Sequence, residues 1–190
     1  MKTGKLIIFS APSGSGKTTI VKHLLNQEKL SLLFSVSATS RSPRKGEVDG
    51  KDYFFLTKKI FKNKIKNDEF LEYEEVYPGS FYGTLKKEIN RIRDLGKNVI
   101  FDIDVIGGLN IKNKYPDQTL SIFLKAPNIN DIKKRLIKRN LDLKNMLKLR
   151  IDKIHEEIKL AEKFDVSLLN TDLNEAKLKA EKLIMNFIKD

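Results

Sequence analysis

Residues 9–19 read FSAPSGSGKTT. A glycine-rich turn ending in Gly-Lys-Thr can wrap an anion, because its backbone N–H groups point inward where the chain adopts left-handed conformations. Gly14 and Gly16 supply those positions. Lys17 then reaches the outer phosphates of a nucleoside triphosphate. The Thr18 hydroxyl falls where a Mg²⁺ ligand is expected, at the first turn of a helix whose dipole adds to the attraction. The general pattern G-x-x-x-x-G-K-[ST] asks for glycine where this chain has Ala11, but that residue only has to leave the preceding strand. Ala11, Pro12, Ser13, Gly14, Ser15, Gly16, Lys17, Thr18 and Thr19 are therefore the expected triphosphate contacts. The flanks agree: KLIIFS (5–10) is a short apolar run suited to a buried parallel strand, and TTIVKHLLNQ (18–27) has helical spacing. A chance lysine beside a Gly/Ser turn is the plain alternative, and it does not account for the strand–loop–helix order.

A second group of polar residues follows. Arg41 and Arg44 are three apart, and Tyr53, Glu72, Tyr82 and Thr84 come after them. Planar guanidinium forks match phosphate oxygens, and hydroxyls with one carboxylate can read a base, so the mixture suits a nucleoside monophosphate. Taken singly, each residue also reads as loop surface, core or a solvated strand position. Asp102 and Asp104, two apart on a strand, share a face near its carboxyl end. Their alternative is a pair of strand-end carboxylates bonded to backbone. Arg135 and Arg139, four apart, share one face of a helix, with Arg150 beyond the polar break NLDLKN; a solvated helix face is the other reading.

Elements that could position these groups alternate along the chain. Strand-like runs at 32–38, 98–104, 119–126 and 165–170 join the first, and helical periodicity marks 82–96, 129–139, 145–164 and 173–189. This predicts an α/β fold: a parallel sheet with helices on both faces and ligands at the carboxyl ends of its strands. The segment from 39 to 84 breaks the alternation with turn signals at Pro43, Gly46, Gly50, Pro78 and Gly79, and with strand candidates DYFFL and EFLEYEEV. It reads as a small mixed α+β insertion. One domain over 1–190 is expected, with core at 1–36, 96–126 and 165–190, an insertion at 37–84 and a lid at 135–150.

Composition narrows the partners. The chain has 190 residues, 40% hydrophobic and 33% charged, without an apolar run long enough to span a bilayer. No membrane partner and a cytoplasmic location are expected. It contains no cysteine and two histidines, which excludes thiolate nucleophiles and cysteine-held zinc. A net charge of +12 raises the question of nucleic acid. The lysines, however, are spread over nearly every segment without interleaved aromatic residues, as in TKKIFKNKIKND, so solvated faces are the better reading and no nucleic-acid partner is expected.

Together these stretches resemble the guanylate kinases over essentially the whole chain. SAPSGSGKTT resembles the family's ATP loop, FSVSATSRSPRKGEVDGKDYFF its GMP-binding signature and FDIDVIGG its third strand. The resemblance implies a P-loop kinase that uses ATP and Mg²⁺ to phosphorylate GMP, and dGMP as well, acting as a monomer or homodimer. It implies that Arg41, Arg44, Tyr53 and Tyr82 hold the GMP phosphate while Ser37, Glu72 and Thr84 read guanine. It sets Asp102 on the guanine side and Asp104 with Thr18 on the metal side. Arg135, Arg139 and Arg150 become lid arginines closing over the ATP phosphates, and Asn170 becomes an adenine-side contact, with helix capping as its alternative. Ile106 stands where the family often has glutamine, and Asn140 where the lid commonly has glycine. The chemistry of guanine agrees: its N1–H and N2 amine are adjacent donors that one carboxylate can accept together, a pair adenine lacks, and such a site can discriminate by about 10⁴-fold. Two rivals share some of these features. A scaffold module of this fold tends to have a degraded phosphate loop, and a basic nucleic-acid-dependent ATPase would turn over only with RNA.

Overall fold

The computed structural model describes residues 4–12, 14–128, 132 and 144–189, with side chains in the last stretch from Ile151 onward. Five strands form one parallel sheet: β1 (Leu6–Ser10), β2 (Leu32–Phe34), β7 (Asn98–Ile103), β8 (Thr119–Lys125) and β9 (Val166–Leu169), ordered β2-β7-β1-β8-β9. β1 lies at the centre, parallel to β7 on one side and β8 on the other. Its five residues are all buried, as a strand covered on both faces requires.

Alternation along β1 divides the core in two. Ile7 and Phe9 pack with Ile20, Val21 and Leu24 of α1 (Lys17–Leu25) and with Ala176, Ala180 and Ile184 of the last helix (Leu173–Lys189). Leu6 and Ile8 face the other way, toward Ile89 and Ile92 of α3 (Lys86–Asp94) and Ile111 of α4 (Val105–Lys114). Burying this apolar area on both faces, at roughly 25 cal/mol per Å², fixes the strand ends that carry the polar loops.

A second sheet, ordered β4-β3-β6-β5, is built from β3 (Ala38–Thr39), β4 (Phe54–Phe55), β5 (Phe70–Tyr77) and β6 (Ser80–Leu85). β5 and β6 form an antiparallel hairpin, and α2 (Lys58–Lys66) covers the sheet through Phe61, which stacks on Phe70 at 4.4 Å between ring centroids. Thr57 caps α2 by accepting from the Ile60 N–H at 3.2 Å. This small core of Ala38, Phe61, Phe70 and Leu85 is separate from the two on the large sheet.

The parallel sheet matches the sequence-based expectation, while several boundaries differ. The strand expected at 32–38 ends at Phe34, and Ala38 and Thr39 pair into the second sheet instead. The helix expected from 82 begins at Lys86, because residues 82–85 continue β6; Tyr82 and Thr84 are therefore strand residues. Asp104 follows β7 rather than lying within it, and starts α4, a helix absent from the sequence-based reading. The helix α5 (Lys144–Lys159) covers most of the third expected helix.

Candidate active site

The loop after β1 folds as its glycines permit. Gly14 and Gly16 have φ of 91° and 93°, and Gly16 is the residue from which α1 springs. A side chain at Gly16 would be strained by that φ, and its Cβ would lie 2.8 Å from Asn170 Nδ2. The Asn170 amide instead donates to the Ser15 carbonyl at 2.9 Å, and the Ser15 hydroxyl donates to the Pro12 carbonyl at 2.8 Å. Asn170 thus braces the loop from the end of β9. Lys17 Nζ donates to the Ile103 carbonyl at 2.7 Å and lies 2.8 Å from Asp102 Oδ1, while the Thr18 hydroxyl donates to Asp102 Oδ2 at 2.9 Å. One carboxylate at the end of β7 therefore touches both side chains of the Lys-Thr pair.

Asp102, expected on the guanine side, contacts Lys17 and Thr18 from the end of β7. Asp104 accepts the N–H groups of Ile106 and Gly107, both at 3.1 Å, and so caps α4. Beyond the effect of burial, its charge raises the Glu72 carboxyl. Because β7 stops at Ile103, Asp102 and Asp104 do not share a pleated face.

Facing the loop across a cleft is the edge of the second sheet. Ser37, Arg44, Tyr53, Glu72 and Tyr82 line the same cleft as Gly14, Gly16, Lys17, Thr18, Asp102 and Asp104. Arg41 stands one layer back, donating from Nε to the Tyr82 hydroxyl at 3.0 Å and stacking over Tyr53 at 5.0 Å from the ring centroid. The Tyr53 hydroxyl is pushed up to about 12, chiefly by burial, with Tyr82 adding to it. Glu72 is 5% exposed and pairs across the hairpin with Thr84, which is fully buried. Glu72 Oε1 and Thr84 Oγ1 are buried without a hydrogen-bond partner among the described residues. Burial raises the Glu72 carboxyl to about 7, with Asp104 contributing in the same direction and Thr84 opposing. Gly107 makes room for it, since a Cβ there would sit 2.7 Å from Glu72 Oε2.

Buried polar atoms in native proteins almost always have partners, so an unpartnered acceptor lining a cleft is one that a ligand or water can satisfy. Here an anion-binding loop and a carboxylate with unmet acceptor capacity look at each other across one cleft. Comparison with known proteins agrees with that geometry: the sequence profile described as Guanylate kinase matches residues 3–186. The chain belongs to the guanylate kinase family. The guanylate kinase of Bacteroides fragilis is 51% identical over 189 residues, spanning 98% of this chain and 92% of its own. That of Porphyromonas gingivalis is 47% identical over 184 residues, spanning 97% and 98%. The crystal structure of guanylate kinase from Anaplasma phagocytophilum superposes with a TM-score of 0.81 at 26% identity, covering 100% of this chain and 89% of that one.

Within the guanylate kinase fold, four expected site residues fall outside what the structure describes. Ser13, Arg135 and Arg139 lie outside the described residues; Arg150 lies in α5, with its side chain outside them. Two acidic residues not singled out in the sequence stand at or behind the cleft. Glu47 grips Arg41 through both carboxylate oxygens, at 2.6 and 2.7 Å. Glu157 of α5, 8% exposed, lines the cleft and is raised to about 7 chiefly by burial, against the pull of Lys153 and Lys17. An acid three residues beyond Arg44 was the available signal for Glu47. Glu157, in the run HEEIKL, carries none that separates it from its solvated neighbour Glu156.

Proposed function

We propose that this chain transfers the terminal phosphoryl group of ATP to GMP, and to dGMP, giving ADP and the corresponding diphosphate. The observation that carries this reading is the placement of Lys17 and Glu72 on one cleft, with the Glu72 carboxyl buried and its Oε1 without a partner within hydrogen-bond geometry among the described residues. In this reading residues 11–19 hold the triphosphate and Asn170 fixes the loop. Arg44, Tyr53 and Tyr82 hold the acceptor phosphate, with Arg41 behind them. Glu72 accepts guanine N1–H and N2–H together, and the Ser37 and Thr84 hydroxyls donate toward O6. The segment 37–84 is then the acceptor-binding insertion, and 135–150 the lid whose arginines close on the phosphates.

Phosphoryl transfer between two phosphates asks for alignment and charge neutralisation more than for a protein base. Lys17, already fixed by Asp102 and the Ile103 carbonyl, offers its charge where the transferring group must pass. Expulsion of water as the two lobes approach strengthens each of these contacts. A divalent cation fits the donor set, because the Thr18 hydroxyl and the Asp102 carboxylate are hard oxygen ligands 2.9 Å apart at the helix start. Among the described residues no cluster of three or more acidic, His or Cys side chains could hold a metal. Thr18 and Asp102 would hold Mg²⁺, which when bound spreads the charge of the phosphate chain. We place the reaction in the cytoplasm. Among the described residues no helix is long and apolar enough to cross a membrane.

A coupled assay of ADP formation from ATP with GMP, AMP, UMP or single-stranded RNA tests the proposal. Turnover should require GMP or dGMP and be weaker with AMP by about 10⁴-fold, as expected where a buried hydrogen-bonding group goes unmet. Turnover dependent on RNA alone would refute it.

A further inference from the structure

Glu47 has no part in the transfer as derived above, yet its carboxylate is heavily engaged on the acceptor side. Oε1 accepts from Arg41 Nη2 at 2.7 Å; Oε2 accepts from Arg41 Nη1 at 2.6 Å and from the Arg44 backbone N–H at 2.7 Å. The Glu47 N–H in turn donates to the Arg44 carbonyl at 3.1 Å, closing a turn around Gly46, whose φ is 88°. Arg41 also donates from Nε to the Tyr82 hydroxyl at 3.0 Å and from Nη1 to the Ser42 carbonyl at 2.9 Å.

A guanidinium has five N–H donors. Those bonds occupy four of Arg41's, leaving a single Nη2–H. Arg41 cannot grip a phosphate with its fork in this arrangement. What it does is set the surroundings: it fixes the Tyr82 hydroxyl, and its plane lies against Tyr53 and Phe55 at 5.0 and 5.5 Å from their centroids. Glu47 further ties Arg44, the cleft-lining arginine, to the same turn.

We propose that Glu47 is a positioning residue for the acceptor phosphate, holding Arg41 as a rigid strut so that Arg44, Tyr53 and Tyr82 keep the spacing of one phosphomonoester. Its charge also offsets one of the two arginines, so the pocket presents directed donors rather than a diffuse cationic patch. The proposal rests on the acceptor reading given above. Arg41 holds the carboxyl of Glu47 down at about 2, so Glu47 stays ionised across the working pH range and does not act as a switch.

The test compares wild type, Glu47→Gln and Glu47→Asp by steady-state kinetics, with guanosine as a competitor that lacks the phosphate. Glu47→Gln should raise KM for GMP about tenfold, equivalent to about 1.4 kcal/mol. It should leave kcat, KM for ATP and the guanosine inhibition constant near wild type. Glu47→Asp, which keeps the charge but withdraws it by one methylene, should fall between. An unchanged KM for GMP would overturn the proposal. So would a lowered one, which would make Glu47 a competitor of the phosphate, or an equal loss of guanosine binding or of folding, which would make it merely architectural. A wild type lacking GMP-dependent turnover would overturn the functional reading itself, together with this proposal, and is seen before any variant is compared.

Discussion

The two walls of the cleft solve opposite problems. On the donor wall the described loop groups already have protein partners: Lys17 and Thr18 both bond Asp102, and the loop is braced by Asn170. On the acceptor wall Glu72 is buried beside the charge of Asp104, with one oxygen and the neighbouring Thr84 hydroxyl unpartnered. A triphosphate brings charge enough to re-form the donor network whatever base it carries, so that wall can afford to be self-sufficient. Discrimination among bases needs a group whose hydrogen bonds are met only by the right ligand, and holding it unmet costs folding stability.

The comparison can be broken first at the donor wall. Replacing Lys17 with Met removes the cation nearest the transferring group while leaving α1 intact, and kcat should fall by about 10³-fold with little change in Tm. Undiminished turnover would remove the loop from the reaction. At the acceptor wall, Glu72→Gln loses one charged acceptor for two guanine donors. KM for GMP should rise about 10- to 100-fold with KM for ATP unchanged. Because the substitution also removes a buried ionisable group, the ligand-free protein should melt higher than wild type at pH 8. An equal rise in both KM values, or a lower Tm, would argue against a strained recognition group.

The pH dependence sharpens the same contrast. A carboxyl raised in the folded state favours its protonated form, so its contribution to stability is full below about 4.5 and is lost as pH rises through about 7. Guanine recognition uses the ionised form, so the sign for binding is opposite. KM for GMP should fall about tenfold between pH 6 and pH 8, and that slope should shrink in Glu72→Gln. Glu157 titrates in the same range and remains in both proteins, so the difference between them isolates Glu72. A slope unaffected by the substitution would assign it elsewhere. The smallest effect is expected from Gly107→Ala. Its Cβ would press on Glu72 Oε2, and KM for GMP should rise several-fold while the ATP side is untouched; no change would mean the carboxylate has room to move.

The two walls also differ in how well they could be read in advance. The donor loop is contiguous, so strand, glycines, Lys17 and Thr18 declare themselves by spacing alone, and the buried β1 run announces the parallel sheet. The acceptor wall gathers residues from 37, 41–47, 53, 72 and 82–84, brought together by a hairpin whose register no local pattern specifies. Residues 82–85 open a stretch, 82–96, with helix-like spacing, which continuing β6 overrides at its start through pairing with β5. The positions of Asp102 and Asp104 turned on where β7 stops, a boundary of one residue that local periodicity does not resolve. Glu157 comes to the cleft only because α5 packs there, and tertiary placement of that kind leaves no trace in composition.

Catalysis here requires a phosphoryl group to pass directly between the two walls. The most direct test is to supply ATP labelled in its terminal phosphate together with GMP and to follow the label. It should appear in GDP in step with ADP formation, and vanish from GDP in Lys17→Met. Label released as inorganic phosphate at the rate of ADP formation, with GMP unchanged, would contradict it.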